Sequence, residues 1–164
     1  MVRHNIIYIS LNGICEPLGK SQIYECLKLL SIDYQINLIT FEKSNIKKEF
    51  FDQVNKNIKW YPIKYKKKYR LFNSIIQLFE CIKVCFRIRT KHRIKIIHCR
   101  SFFPALVGYL MKLIFRIKFV YDIRGFAIEE KFENNHLKQN VIYKLLNYTE
   151  KFLYKKSDWI ITLT

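Results

Sequence analysis

Asp122 and Arg124 alternate along one side of the extended run KFVYDIRG, and Gly125 follows them. A carboxylate and a guanidinium at that spacing can pair, orient one another, or accept a bond from a substrate hydroxyl. His98 and Arg100 flank Cys99 in the same way, and Ser101 begins the turn beyond them. That pair offers a proton-transferring imidazole and an anion-binding guanidinium. A third set lies in NGICEPLGKSQ (12–22), with Gly13 and Gly19 in a loop and Lys20 and Ser21 at the start of a helix. Free N–H groups and the positive end of a helix dipole make such a start a site for anions. Glu129 and Glu130 come next, although acids near a helix start also serve as dipole partners. The same residues would equally serve a plain turn capped by Ser21, a core histidine with a rim arginine, and a local ion pair.

Strand-like and helix-like stretches alternate around these residues. NIIYISL (5–11), QINLITF (35–41), IKWYPI (58–63), IKIIHC (94–99), KFVYDI (118–123) and WIITLT (159–164) read as strands, the first apolar throughout as a doubly covered strand should be. Helices are expected over 20–33, 71–89, 102–115 and about 137–156, with a short polar helix before the third strand. In 71–89 the apolar positions 72, 75, 79, 82 and 86 predict the core-facing side, and 73, 77, 80, 83 and 87 the outer side. The alternation predicts an α/β fold, a Rossmann-like parallel sheet with helices on both faces, in a single domain over 1–164. Such sheets place ligands at the carboxyl ends of their strands, where the three polar sets stand.

Composition narrows the function. The 164 residues are half hydrophobic, so a packed core is expected rather than disorder. The longest apolar run, 102–115, is too short to span a bilayer and holds Lys112, and residues 1–10 lack a signal-peptide pattern. A cytoplasmic protein is the expectation. Five cysteines without a C-x-x-C pair read as reduced thiols; Cys81 and Cys85 share a helix face but are expected in the core, and no metal site is expected. The net charge is +17, and residues 42–118 alone hold twenty basic against four acidic residues. A localised basic surface suits nucleic-acid phosphates, lipid headgroups or polyanionic substrates. The first loop has neither the G-x-G-x-x-G nor the phosphate-loop spacing, which weakens a single-domain nucleotide binder. No helix-turn-helix, zinc-finger or RRM signature supports a basic nucleic-acid-binding α/β domain, so no nucleic acid is expected.

The stretches EPLGKSQIYECLKLLS, YQINLITFEK, IIHCRSFFPALVGYL, FVYDIRGF and TEKFLYKKSDWIITLT occur in order. Together they resemble the N-terminal, acceptor-side domain of GT-B-fold glycosyltransferases of family four, the retaining, glycogen-synthase-like enzymes. The resemblance rests on His98, Arg100 and Ser101; on Asp122, Arg124, Gly125 and Phe126; and on Glu150 and Asp158. Ala127 and Lys131 depart from the pattern, which has Trp and Arg there. It implies one half of a GT-B fold, holding a glycan or lipid-linked acceptor in cell-surface polysaccharide synthesis. A nucleotide-sugar donor serves as co-substrate, held mainly by a C-terminal domain that this chain does not contain; no other cofactor is implied. Gly13, Gly19, Lys20 and Ser21 would border the interdomain cleft. His98, Arg100, Ser101, Gly125 and Glu129 would bind substrate, and Asp122 and Arg124 would stand near the reacting centre. The chain is then a truncated or split enzyme, inactive alone unless a separate domain completes it. The basic segment 64–95 would rest on an anionic membrane, at the inner face of which the protein would be peripheral.

Overall fold

In a computed structural model the chain is described over residues 4–43, 46, 54–65, 70–124 and 141–162. The apolar runs become six strands: β1 (His4–Ser10), β2 (Tyr34–Glu42), β3 (Ile58–Lys64), β4 (Ile94–Arg100), β5 (Lys118–Ile123) and β6 (Trp159–Thr162). All pair in parallel, in the order β3-β2-β1-β4-β5-β6. The order reverses direction between β1 and β4, and the carboxyl ends of those strands open a crevice where such sheets take ligands.

Helices cover both faces. On one side lies α1 (17–30), whose Ile23, Tyr24 and Leu27 bury against Ile6, Tyr8, Ile36 and Leu38. On the other side α2 (Arg70–Lys91), α3 (Phe102–Phe115) and α4 (Val141–Lys156) enclose a core around Ile7, Ile9, Phe41, Ile97, Phe119 and Tyr121. Cys81, Cys85 and Cys99 are free thiols within that core, as expected. Asp158 fastens the entry of β6 to β5: its carboxylate accepts the Phe119 N–H at 2.9 Å and the Lys118 ammonium at 3.1 Å. β6 is the last strand of the sheet, and Trp159, Ile160 and Ile161 are all exposed on it.

Three expectations need correction. The first helix begins at Pro17, not residue 20, because proline is pre-set for a first turn and lacks the N–H that would go unpaired there. Ser21 therefore sits a turn inside and caps nothing; its hydroxyl donates to the Leu18 carbonyl. The helix 71–89 keeps part of its expected apolar side, since Ile82 and Phe86 pack on the core and Lys83 and Arg87 are exposed, but it is turned at 75, 77 and 79. Gln77, Cys81, Cys85 and Ile88 face the core, while Ile75 and Phe79 are 54% and 58% exposed. Small thiols let α2 lie close to the sheet, a fit that outweighs the larger area of the Ile75–Phe79 side. The polar helix expected before β3, and residues 125–140 with Gly125 and Glu129, lie outside the described residues.

Candidate functional site

Strand pairing puts Ser10, Arg100 and Asp122 in one row across β1, β4 and β5, and Tyr8 and His98 in the row below. Alternation turns both rows to the α1 side, away from the core that takes Cys99 and Tyr121. The two polar sets expected at β4 and β5 therefore meet.

Asp122 is the hub. It is buried, yet His98 Nε2 lies 3.4 Å from its Oδ2, and Arg124 Nη2 donates to the same oxygen at 3.0 Å. Arg124 Nε stands 2.8 Å from Oδ1 but off the hydrogen-bond line, so those two atoms attract as charges without bonding. Burial alone would raise the Asp122 pKa; the bonds from His98 and Arg124 outweigh it and hold the carboxyl below its ordinary value. An ionised carboxylate of that kind is a weak base. Being buried, it acts by orienting its neighbours His98 and Arg124, which are part-exposed.

Arg100 does not pair with Asp122. It is buried and donates through Nη1 to the Gln22 carbonyl at 3.2 Å and through Nη2 to Gln22 Oε1 at 2.5 Å. Gln22 sits in a π-helical stretch of α1, Lys20–Tyr24, so this bridge ties α1 to the crevice floor. Arg100 Nε is buried and has no acceptor among the described residues. Tyr8 lies under the cluster, its ring 4.4 Å from that of His98. Burial, and secondly the charge of Asp122, push its hydroxyl up to about 12, so it stays protonated.

Ser101 joins the site through its backbone. Its φ of 77° and ψ of 169° belong to a region that only glycine adopts without strain, and its N–H donates to the Asp122 carbonyl at 2.9 Å. Such strain costs about 1–3 kcal/mol and concentrates at functional sites.

Glu42, at the end of β2, has a role that the spacing of residues did not reveal. Its buried carboxylate accepts the Ile14 N–H at 2.9 Å, the Cys15 N–H at 3.3 Å and the Thr40 hydroxyl at 2.6 Å. Thr40 in turn accepts the Trp60 indole N–H at 2.8 Å. A Cβ on Gly13 would overlap Glu42 Oε2, and one on Gly19 would overlap the Gly13 carbonyl oxygen. The glycines thus serve close packing of the loop, not flexibility. In dinucleotide-binding Rossmann domains an acid about twenty residues beyond the first loop bonds the ribose. Here the acid ending β2 is consumed by the loop itself, which counts against the single-domain nucleotide binder. Lys20 and Ser21 are exposed on α1 beside that loop, one turn further from its start than their spacing suggested. Among the described residues no cluster of His, Cys, Asp and Glu could hold a metal ion, and no helix is long and apolar enough to cross a membrane.

No protein-family model and no curated protein matches the chain. Solved glycosyltransferase structures share its fold. UGT2 of Phytolacca americana, solved with UDP-2fluoro-glucose and pterostilbene, superposes on all of this chain with a TM-score of 0.72 at 10% identity. Sucrose-phosphate synthase of Thermosynechococcus elongatus matches 96% of it with 0.67 at 14%, and Acinetobacter baumannii MurG 98% with 0.52 at 11%. The chain spans only 48%, 42% and 41% of those three structures. Its architecture is that of one half of a GT-B glycosyltransferase.

Proposed function

We propose that this chain is the acceptor-binding half of a retaining, family-four glycosyltransferase. It would move a sugar from a nucleotide-sugar to a lipid-linked glycan in cell-surface polysaccharide synthesis. The single observation behind the reading is the convergence of His98, Arg100 and the Asp122–Arg124 pair at the switch point of a sheet shared with GT-B enzymes. The part-exposed His98 and Arg124, oriented by the buried, ionised Asp122, offer polar groups to a sugar ring, and the strained Ser101 fixes the floor on which they stand. Gly13, Gly19, Lys20 and Ser21 form the crevice wall on the α1 side; Gly125 and Glu129 follow Arg124 in the sequence and are further candidates for the opposite wall. A separate nucleotide-sugar domain supplies the facing half of the cleft, since transfer needs both substrates in a near-attack arrangement. The acceptor is met at the cytoplasmic face of an anionic membrane, which the basic segment 64–95 favours.

Glycan-array binding by the chain alone tests this. Binding of a cell-surface glycan without added nucleotide, lost in Arg100→Ala and Asp122→Asn, is expected. Turnover of nucleotide-sugars by the isolated chain would refute the dependence on a second domain. Nucleotide binding without glycan binding would favour the nucleotide binder instead.

A further inference from the structure

Two guanidiniums share one carboxylate at the crevice floor. Arg100 and Asp122 are level on neighbouring strands, about 5 Å apart along the sheet, and Arg124 closes on Asp122. Arg100 is only 3% exposed, and among the described residues no carboxylate pairs with it. Arginine keeps its charge in a protein, and buried charges are ordinarily matched by an opposite one. The floor thus carries one positive charge too many, and His98 could only add to it. In place of an acid, Arg100 holds Gln22 by its carbonyl and its Oε1. A guanidinium only donates, so it fixes that carboxamide with the oxygen inward and both N–H bonds of Nε2 turned away. Gln22 is exposed, and no described residue accepts from its Nε2. Its backbone belongs to the π-helical turn Lys20–Tyr24, a rare geometry that is frequent at functional sites. Across the row, Asp122 engages Nε and Nη2 of the part-exposed Arg124 and leaves Nη1.

Donors that face outward over an unbalanced buried cation suit an anionic oxygen. We infer that the acceptor carries one, a carboxylate or a phosphate monoester on its sugar, held by Gln22 Nε2 and Arg124. That group supplies, through Gln22, the negative charge that Arg100 lacks. A neutral hydroxyl would satisfy the amide and leave the surplus charge in place. Bonds to a charged oxygen are roughly twice as strong as neutral ones, so the charge is read as affinity. Gln22 is then a binding residue, and Arg100 a positioning residue that acts through it. The inference rests on the acceptor reading of the proposed function and adds the chemical class of the acceptor.

Two measurements on the whole chain test it. The first needs no sugar. Gln22→Glu places a carboxylate on Arg100 and should raise the unfolding temperature by about 2–4 °C. That gain should exceed the effect of Cys26→Glu, an equal change of charge at an exposed place on the same helix. Inorganic phosphate should stabilise the parent and not Gln22→Glu. The second is a glycan array that holds each sugar in neutral, uronate and phosphorylated form. Acidic members should bind about tenfold or more tightly than their neutral parents, as a charged bond in place of a neutral one implies. That preference should vanish in Gln22→Glu and in Gln22→Met, and the tighter acidic form names the group. Three results would each overturn the inference: a Gln22→Glu gain no larger than that of Cys26→Glu, equal protection of parent and Gln22→Glu by phosphate, or an acidic preference that both substitutions leave unchanged. Neutral glycans bound as tightly as acidic ones would overturn it too, and leave the proposed function standing. No glycan bound at all, with phosphate protection still confined to the parent, would overturn the proposed function and leave the anion site.

Discussion

Replacing Glu42 by alanine should unfasten the loop after β1 and cost much of the chain's stability. The carboxylate is the acceptor for two backbone N–H groups and the Thr40 hydroxyl, with contacts of 2.9, 3.3 and 2.6 Å. Each buried donor left without an acceptor costs about 1–3 kcal/mol. Counting the two short bonds fully and the long one weakly puts the loss at about 3–6 kcal/mol, against a typical total of about 5–15 kcal/mol. Glu42→Gln keeps one acceptor but turns an amide toward a backbone donor, and should lose about 1–3 kcal/mol. Gly13→Ala supplies an internal check, because its Cβ overlaps Glu42 Oε2. Alone it should cost about 1–3 kcal/mol by overpacking. Combined with Glu42→Ala the overlap disappears, and the double variant should be more stable than the sum of the singles by about 1 kcal/mol or more. Urea unfolding followed by far-UV circular dichroism measures all four, and Trp60 fluorescence reports on the Thr40 link. A loss below about 1 kcal/mol for Glu42→Ala would refute the reasoning, as would singles that add within about 0.5 kcal/mol.

Other consequences are as open to measurement. Ser101→Gly should relieve the strained φ and raise stability by about 1 kcal/mol in thermal unfolding, once glycine's extra unfolded-state entropy is subtracted. The same variant should weaken glycan binding by loosening the floor under Arg100. Asp158 has its carboxyl lowered from 3.8 to about 2, because bonds from Lys112, the Phe119 N–H and Lys118 outweigh its desolvation. A lowered folded pKa means stability that is full above the unfolded value and is lost as the pH falls through the folded one. Acid unfolding should therefore steepen between about pH 4 and pH 2, and Asp158→Asn should flatten that limb. Asp122 shifts in the same direction, so Asp122→Asn should also be less sensitive to acid; a variant as acid-labile as the parent would contradict the His98 and Arg124 bonds.

The strands were legible because each is a short β-branched run between breakers, and KFVYDI occupies the expected positions 118–123. Alternation alone also put His98 with Arg100, and Asp122 with Arg124, on common sides. What it could not give was which strand lies beside which. Only the strand register, which sets Ser10, Arg100 and Asp122 level across β1, β4 and β5, makes one site of them. Glu42 escaped notice for a related reason: its partners are 27 and 28 residues away, and an acid just past an apolar run looks like the start of a loop. A signal existed in the ordering, since β2 of a Rossmann-like sheet ends beside the first loop. Tyr8 could have been found the same way, as the β1 residue level with His98. The orientation of α2 was read correctly at Ile82 and Phe86 but not at Ile75, Gln77 and Phe79, because apolar periodicity marks the larger hydrophobic side. The side that packs was chosen instead by thiols small enough to approach the sheet.

β6 carries a consequence of a different kind. Its inner edge pairs with β5, while its outer edge has no strand beside it among the described residues, and Trp159, Ile160 and Ile161 lie bare along it. A hydrophobic strand with unpaired backbone groups is a template for one more strand, whichever chain supplies it. In a purified sample the available supplier is another copy of the chain. The shortness of this four-residue edge and the seventeen surplus charges oppose such pairing, and Ile160→Lys should weaken it further, read as less concentration-dependent light scattering.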